Sequence, residues 1–231
     1  METIYLLCGL LCDEEVWQGQ AAELRNKYDV RVASFQGYDS IGAMAAHVLD
    51  SAPERFSLAG HSMGGRVALE VYRRAPQRIE RLALLDTGYE PVAPGEAERR
   101  AVLVNKALAE GIESIAATWA RPMIAPCNQS AVLAPIVAMV GRMSGEIYAG
   151  QTRALLNRPD ATAVLAAIKC PTLVLCGAQD AWSPADRHER MTALIPDTAF
   201  KVIDDCGHMS TMERPAEVTT ALLHWLESRG Q

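Results

Sequence analysis

Long apolar runs are missing from this chain of 231 residues. None approaches the roughly 20 residues that a bilayer-spanning helix needs. The start, Met1 to Asp13, carries a short apolar stretch without a basic leader, and Asp13, Glu14 and Glu15 close it at once. A secretory signal is therefore not expected, and a cytoplasmic location is. A basic stripe is missing too. Lys and Arg number 22 against 28 Asp and Glu, a net charge of -6, which argues against a nucleic-acid partner and offers nothing to a membrane. The six cysteines include no C-x-x-C pair and none stands at zinc-site spacing from a histidine, so they read as small hydrophobes rather than metal ligands. Internal repeats and low-complexity tracts are absent as well.

What is present is ordinary for a globular enzyme: 49% hydrophobic and 22% charged residues, in a chain long enough for one sizeable core and a small insertion. Short β-rich segments recur at Thr3–Leu7, Val30–Phe35, Phe56–Ala59, Leu82–Leu85, Thr172–Cys176 and Phe200–Ile203. Their nearly continuous apolar character suits strands covered on both faces. Between them, Glu14–Tyr28, Ser40–Ser51, Gly64–Arg74, Pro184–Leu194 and Pro215–Ser228 show helical periodicity. This alternation predicts an α/β fold with a mostly parallel sheet of about six strands, right-handed crossovers and helices on both faces.

One region breaks the rhythm. From Gly88 to Ala167 only helical patterns occur, around Glu96–Glu110, Ile112–Trp119, Ala131–Arg142 and Glu146–Asn157, punctuated by prolines. That is too long for a loop. The expectation is a core of residues 1–87 and 168–231, with residues 88–167 inserted as a helical cap.

The chemistry centres on Gly60-His61-Ser62-Met63-Gly64, a G-x-S-x-G turn between a buried strand and an amphipathic helix. A serine at such a turn points its hydroxyl away from the sheet, and glycines two positions either side relieve the crowding. A bare G-x-S-x-G arises by chance in roughly one chain in ten of this length; in this setting it is far rarer. The following helix aims N–H groups and its positive end at the serine, which makes Met63 N–H an oxyanion donor.

Serine needs a base and an orienting acid. Of the five histidines, His47 and His224 sit in helix patterns, His188 is expected on a surface helix, and His61 adjoins the serine pointing elsewhere. His208 follows the last strand, where open α/β sheets place their sites. Asp180 follows the strand Thr172–Cys176 and completes the order Ser, Asp, His. Asp86, at the end of the strand after the serine helix, and Asp205, three residues before the histidine, are its rivals. Asp180 is preferred over Asp205, which lies along the histidine's own strand end.

The serine turn, Gly177–Asp180 and Asp205–His208 resemble the α/β-hydrolase superfamily across essentially the whole chain, in the manner of a capped esterase or enol-lactonase-like member. The resemblance implies that Thr3–Leu7 takes the place of the family's third strand. It also implies that the next loop supplies a second oxyanion donor, carried over to Leu10 N–H, although Cys8 replaces the customary His or Pro before Gly9.

The expected reaction is cleavage of a carboxylic ester, lactone or thioester of a small, mostly apolar substrate through an acyl-enzyme on Ser62, with no metal or organic cofactor called for. Leu11, Trp119, Met123, Met143, Tyr148 and Trp182 are the candidate pocket residues. Arg121, Arg142, Arg153 and Arg158 are weighed as carboxylate holders and read instead as a solvated face. The alternatives are C–C bond hydrolysis, acyl transfer or perhydrolysis on the same triad, or a ligand receptor on the same fold.

Overall fold

The computed structural model describes residues 1–228; the last three residues of the expected core segment 168–231 lie outside them. Six strands form one parallel sheet: β1 (Thr3–Leu7), β2 (Asp29–Ala33), β3 (Phe56–His61), β4 (Ile79–Leu85), β5 (Thr172–Gly177) and β6 (Thr198–Ile203). Their spatial order is β2-β1-β3-β4-β5-β6. The chain thus starts inside the sheet, crosses to one edge, and then winds outwards to the other. Side chains of β1, β3 and β5 are buried on both faces, as their unbroken apolar runs require. The edge strands β2 and β6 are half-exposed, which corrects the expectation that every strand is covered.

The sheet-flanking helices are α1 (Gln18–Leu24), α2 (Ile41–Ser51), α3 (Met63–Arg74), α9 (Ala185–Leu194) and α11 (Pro215–Glu227), with one turn of helix, α10 (Ser210–Glu213), before the last. The expected helix over Glu14–Tyr28 is shorter, because Glu14–Trp17 is a tighter 3₁₀ turn capped by Asp13. Trp17 there is fully buried and its indole N–H donates to Leu7 O at 3.1 Å. That bond trades helix continuity for a brace on the end of β1. Core side chains such as Trp17, Phe35, Phe56 and Leu58 have no solvent exposure, each contributing about 1.5–3 kcal/mol of apolar burial.

Between β4 and β5 the regular elements are helices: α4 (Glu96–Glu110), α5 (Glu113–Ala120), α6 (Gln129–Gly141), α7 (Gly145–Leu156) and α8 (Thr162–Ala166), with short 3₁₀ turns between them. Among the described residues no single helix is long and apolar enough to cross a membrane. This helical segment is fastened to the loops at the carboxyl ends of the strands. Gln151 of α7, fully buried, accepts Leu11 N–H at 2.8 Å and donates to Phe35 O at 3.1 Å. Arg142, at the end of α6, holds Asp13 at 2.7 Å and also Glu15. Arg153 pairs with Asp39 at 2.8 Å.

Candidate active site

The serine turn is held from several sides. Ser62 adopts φ 54° and ψ -115°, a conformation that a side-chain-bearing residue takes only when its surroundings enforce it. Ser62 N–H donates to Leu85 O at 2.9 Å, and the Thr87 hydroxyl donates to Ser62 O at 2.6 Å. A Cβ at Gly60 would run into the backbone of Gly64 and Gly65, and one at Gly64 into the Leu7 carbonyl. Both glycines are therefore required by close approach: α3 starts directly against the ends of β3 and β1.

From this turn a chain of hydrogen bonds runs through residues far apart in sequence. Ser62 Oγ lies 2.8 Å from His208 Nε2, and His208 Nδ1 lies 2.8 Å from Asp180 Oδ2. Asp180 Oδ1 accepts the N–H groups of Trp182 and Ser183, each at 2.8 Å. Burial alone would raise the Asp180 carboxyl. The facing imidazole and the two N–H donors outweigh it and hold it below its ordinary value. Burial likewise pulls His208 down, but Asp180 first, then Asp86 and Glu213, raise it above 6.5.

His61 is buried and donates from Nε2 to His208 O at 2.9 Å, so it anchors the histidine loop rather than competing for the serine. Burial, reinforced by the charge at His208, pushes its pKa down to about 4 and keeps it neutral. His188 is also fully buried, contrary to the surface position expected of it. Its Nε2 accepts Thr87 N–H at 3.1 Å and its Nδ1 donates to Pro184 O at 3.2 Å.

The rival acids occupy other places. Asp86 is buried beneath the site, accepting Gly177 N–H at 3.1 Å and the Ser210 hydroxyl. Burial and the nearby Asp180 raise its carboxyl well above the usual range. It ties together the bases of the Asp180 and His208 loops without a bond to the His208 ring. Asp205 faces solvent, its carboxylate 3.7 Å from Arg214. Glu213, which carried no signal in the sequence, accepts the N–H groups of Gly207 at 3.0 Å, Met209 at 3.1 Å and Ala125 at 2.9 Å, and the Asn128 amide at 2.9 Å. One buried carboxylate thus joins the histidine loop to the inserted helices, and His208 N–H adds a bond to Met123 O at 2.7 Å.

Above Ser62 and His208 lies a cavity of about 750 Å³. Of the candidate pocket residues, Trp119, Met123, Tyr148 and Trp182 line it, together with Leu10 and Met63, the two candidate oxyanion donors. Among the described residues neither Leu10 N–H nor Met63 N–H donates to a protein acceptor. Both are free to face a ligand oxygen; the buried indole N–H of Trp119 also has no protein acceptor among the described residues. Two expected pocket residues are elsewhere. Leu11 is turned into the core at φ 57°, because its N–H is taken by Gln151. Met143 packs in the core at the end of α6.

Of the four arginines considered from sequence, only Arg158 reaches this cavity. Arg142 and Arg153 are spent on surface pairs, and Arg121 meets Gln129 at 3.2 Å.

A family model described as the alpha/beta hydrolase family matches residues 9–221. A pimeloyl-[acyl-carrier protein] methyl ester esterase of Nitrosomonas europaea is 23% identical over 93% of this chain and 91% of its own length. Among solved structures, a thermophilic esterase from Thermogutta terrifontis, determined with malate bound, superimposes with a TM-score of 0.88 at 31% identity, covering 98% of this chain and 89% of that one. An enol-lactonase from Burkholderia xenovorans shares the fold, with a TM-score of 0.88 at 24% identity over 98% of this chain and 92% of its own.

Proposed function

The chain belongs to the alpha/beta hydrolase family, and from that membership we propose that it cleaves carboxylic esters, lactones or thioesters of small molecules with Ser62 as nucleophile. The observation that carries this reading is the unbroken link Ser62 Oγ–His208 Nε2 and His208 Nδ1–Asp180 Oδ2, both 2.8 Å, opening into a cavity large enough for a small substrate. Residues 88–167 act as the cap that roofs this cavity, over a core formed, among the described residues, by 1–87 and 168–228.

Ser62 Oγ attacks the carbonyl carbon while its proton passes to His208 Nε2. Asp180 keeps the imidazole proton on Nδ1 and stabilises the imidazolium. The tetrahedral oxyanion is received by Leu10 N–H and Met63 N–H. Collapse expels the alcohol, which takes the proton from His208, and leaves Ser62 acylated. Water then gives its proton to His208 and attacks the acyl carbon; release of the acid returns the proton to Ser62.

The test is a panel of p-nitrophenyl esters of increasing acyl length, with lactones and acyl-thioesters, assayed across pH. Turnover of at least one class is expected, and uniformly feeble rates count against the reading. A protonated His208 cannot take the serine proton, so kcat/KM falls as pH is lowered. Because Asp180 raises the imidazole, the midpoint of that fall is expected above 6.5. Activity that stays level down to pH 5 speaks against His208 as the base.

A further inference from the structure

Among the described residues five arginines line the catalytic cavity, Arg66, Arg99, Arg100, Arg158 and Arg187, against Glu90, Glu96 and the buried Asp86. The glutamates are already committed. Glu96 holds Arg158 at 2.7 Å and Arg100 at 2.9 Å, and Glu90 holds Arg187 at 3.2 Å. Arg99 is exposed at the rim, bonded to Pro94 O at 3.3 Å. Arg66 is different. It is partly buried on α3, and its one protein acceptor among the described residues is the Glu90 carbonyl, at 2.9 Å from Nη1. That carbonyl is shared with Arg158 Nε at 3.1 Å.

Two guanidinium groups therefore converge on a single neutral oxygen, and one of them has no carboxylate partner. Leaving a cation in that position is costly unless an anion completes it. Burial, then the charge of Arg158, push the Arg66 pKa down to about 9, so it remains protonated at pH 7 while any anion beside it relieves the repulsion. Its place is also telling. Arg66 follows Ser62 by four residues, about one helical turn or ~6 Å along the axis, and helical side chains lean back towards the N-terminus. The guanidinium thus lies on the nucleophile's side of α3.

Resting on the ester-cleaving reading above, we propose that the substrate carries a second, anionic end, a carboxylate held by Arg66 with Arg158 and Arg187 alongside. The class of substrate is then a half-ester of a dicarboxylic acid, or a lactone or thioester bearing a free carboxylate. Planar bidentate guanidinium–carboxylate pairing suits this geometry, whereas the apolar side of the cavity, Trp119, Met123 and Tyr148, accommodates the intervening carbon chain.

The test compares kcat/KM for monomethyl esters of dicarboxylic acids from succinate to suberate with the same esters whose free carboxylate is replaced by a carboxamide. The wild-type protein is expected to prefer the anionic member by at least about ten-fold at the best length. In Arg66→Met this preference collapses, and in Arg66→Lys part of it returns. Equal rates on the charged and uncharged esters, or a preference that Arg66→Met keeps, overturns the proposal. A calorimetric titration of glutarate into Ser62→Ala protein separates the two readings. If no ester is turned over, the ester reading fails alone. Glutarate binding that is lost on adding Arg66→Met still upholds the anion site, and binding that is absent or survives overturns it.

Discussion

Replacing Ser62 by alanine is expected to lower kcat for any ester the protein turns over by about 10⁴-fold or more, to a residual rate set by the oxyanion donors and by binding. The methyl group keeps the turn intact, because the constraints on it come from backbone bonds to Leu85 and Thr87 and from the absent side chains at Gly60 and Gly64. Stability is therefore expected to change little while chemistry is lost. His208→Ala removes the proton acceptor and is expected to cost as much, with no further loss in the double variant, since the two residues act as a unit. Thermal melts beside the assay distinguish this outcome from misfolding. Near-wild-type turnover by either variant contradicts the assignment.

Asp180→Asn is expected to lower kcat by about 10⁴-fold. An amide in that place still accepts the Trp182 and Ser183 N–H groups through its oxygen. Its NH₂ then faces His208 and forces the proton to the wrong ring nitrogen. Asp86→Asn is expected to cost far less, about ten- to hundred-fold at most, because Asp86 bonds Gly177 N–H and the Ser210 hydroxyl rather than the imidazole. The ratio of the two losses is the quantity to measure on one ester at one pH. An inverted ratio moves the acid to Asp86.

The parts of the fold that depend on local pattern were legible in the sequence. The parallel sheet followed from unbroken apolar runs, and the serine turn from glycine spacing, because a close approach of backbone to backbone leaves only one residue type able to fill it. Candidate residues at strand ends followed from the same alternation. Pairing across the molecule was not legible. Gln151, Glu213, Arg66 and Arg187 matter here because of partners dozens of residues away, and no spacing records that. Leu11 and Met143 look like pocket residues by type alone, yet a backbone bond to Gln151 and the packing at the end of α6 turn them into the core. His188 departs from its expected surface position for a related reason. The polar residues around it in α9 suggest a surface helix, and only the Thr87 N–H explains why an imidazole is buried.

Ser62 as nucleophile is tested most directly by treating the protein with a fluorophosphonate and mapping the adduct by peptide mass spectrometry. One phosphonylated residue, Ser62, is the expected result, with labelling abolished in Ser62→Ala and slowed severely in His208→Ala. An adduct on another side chain, or continued ester turnover with Ser62 unlabelled after complete reaction, contradicts it.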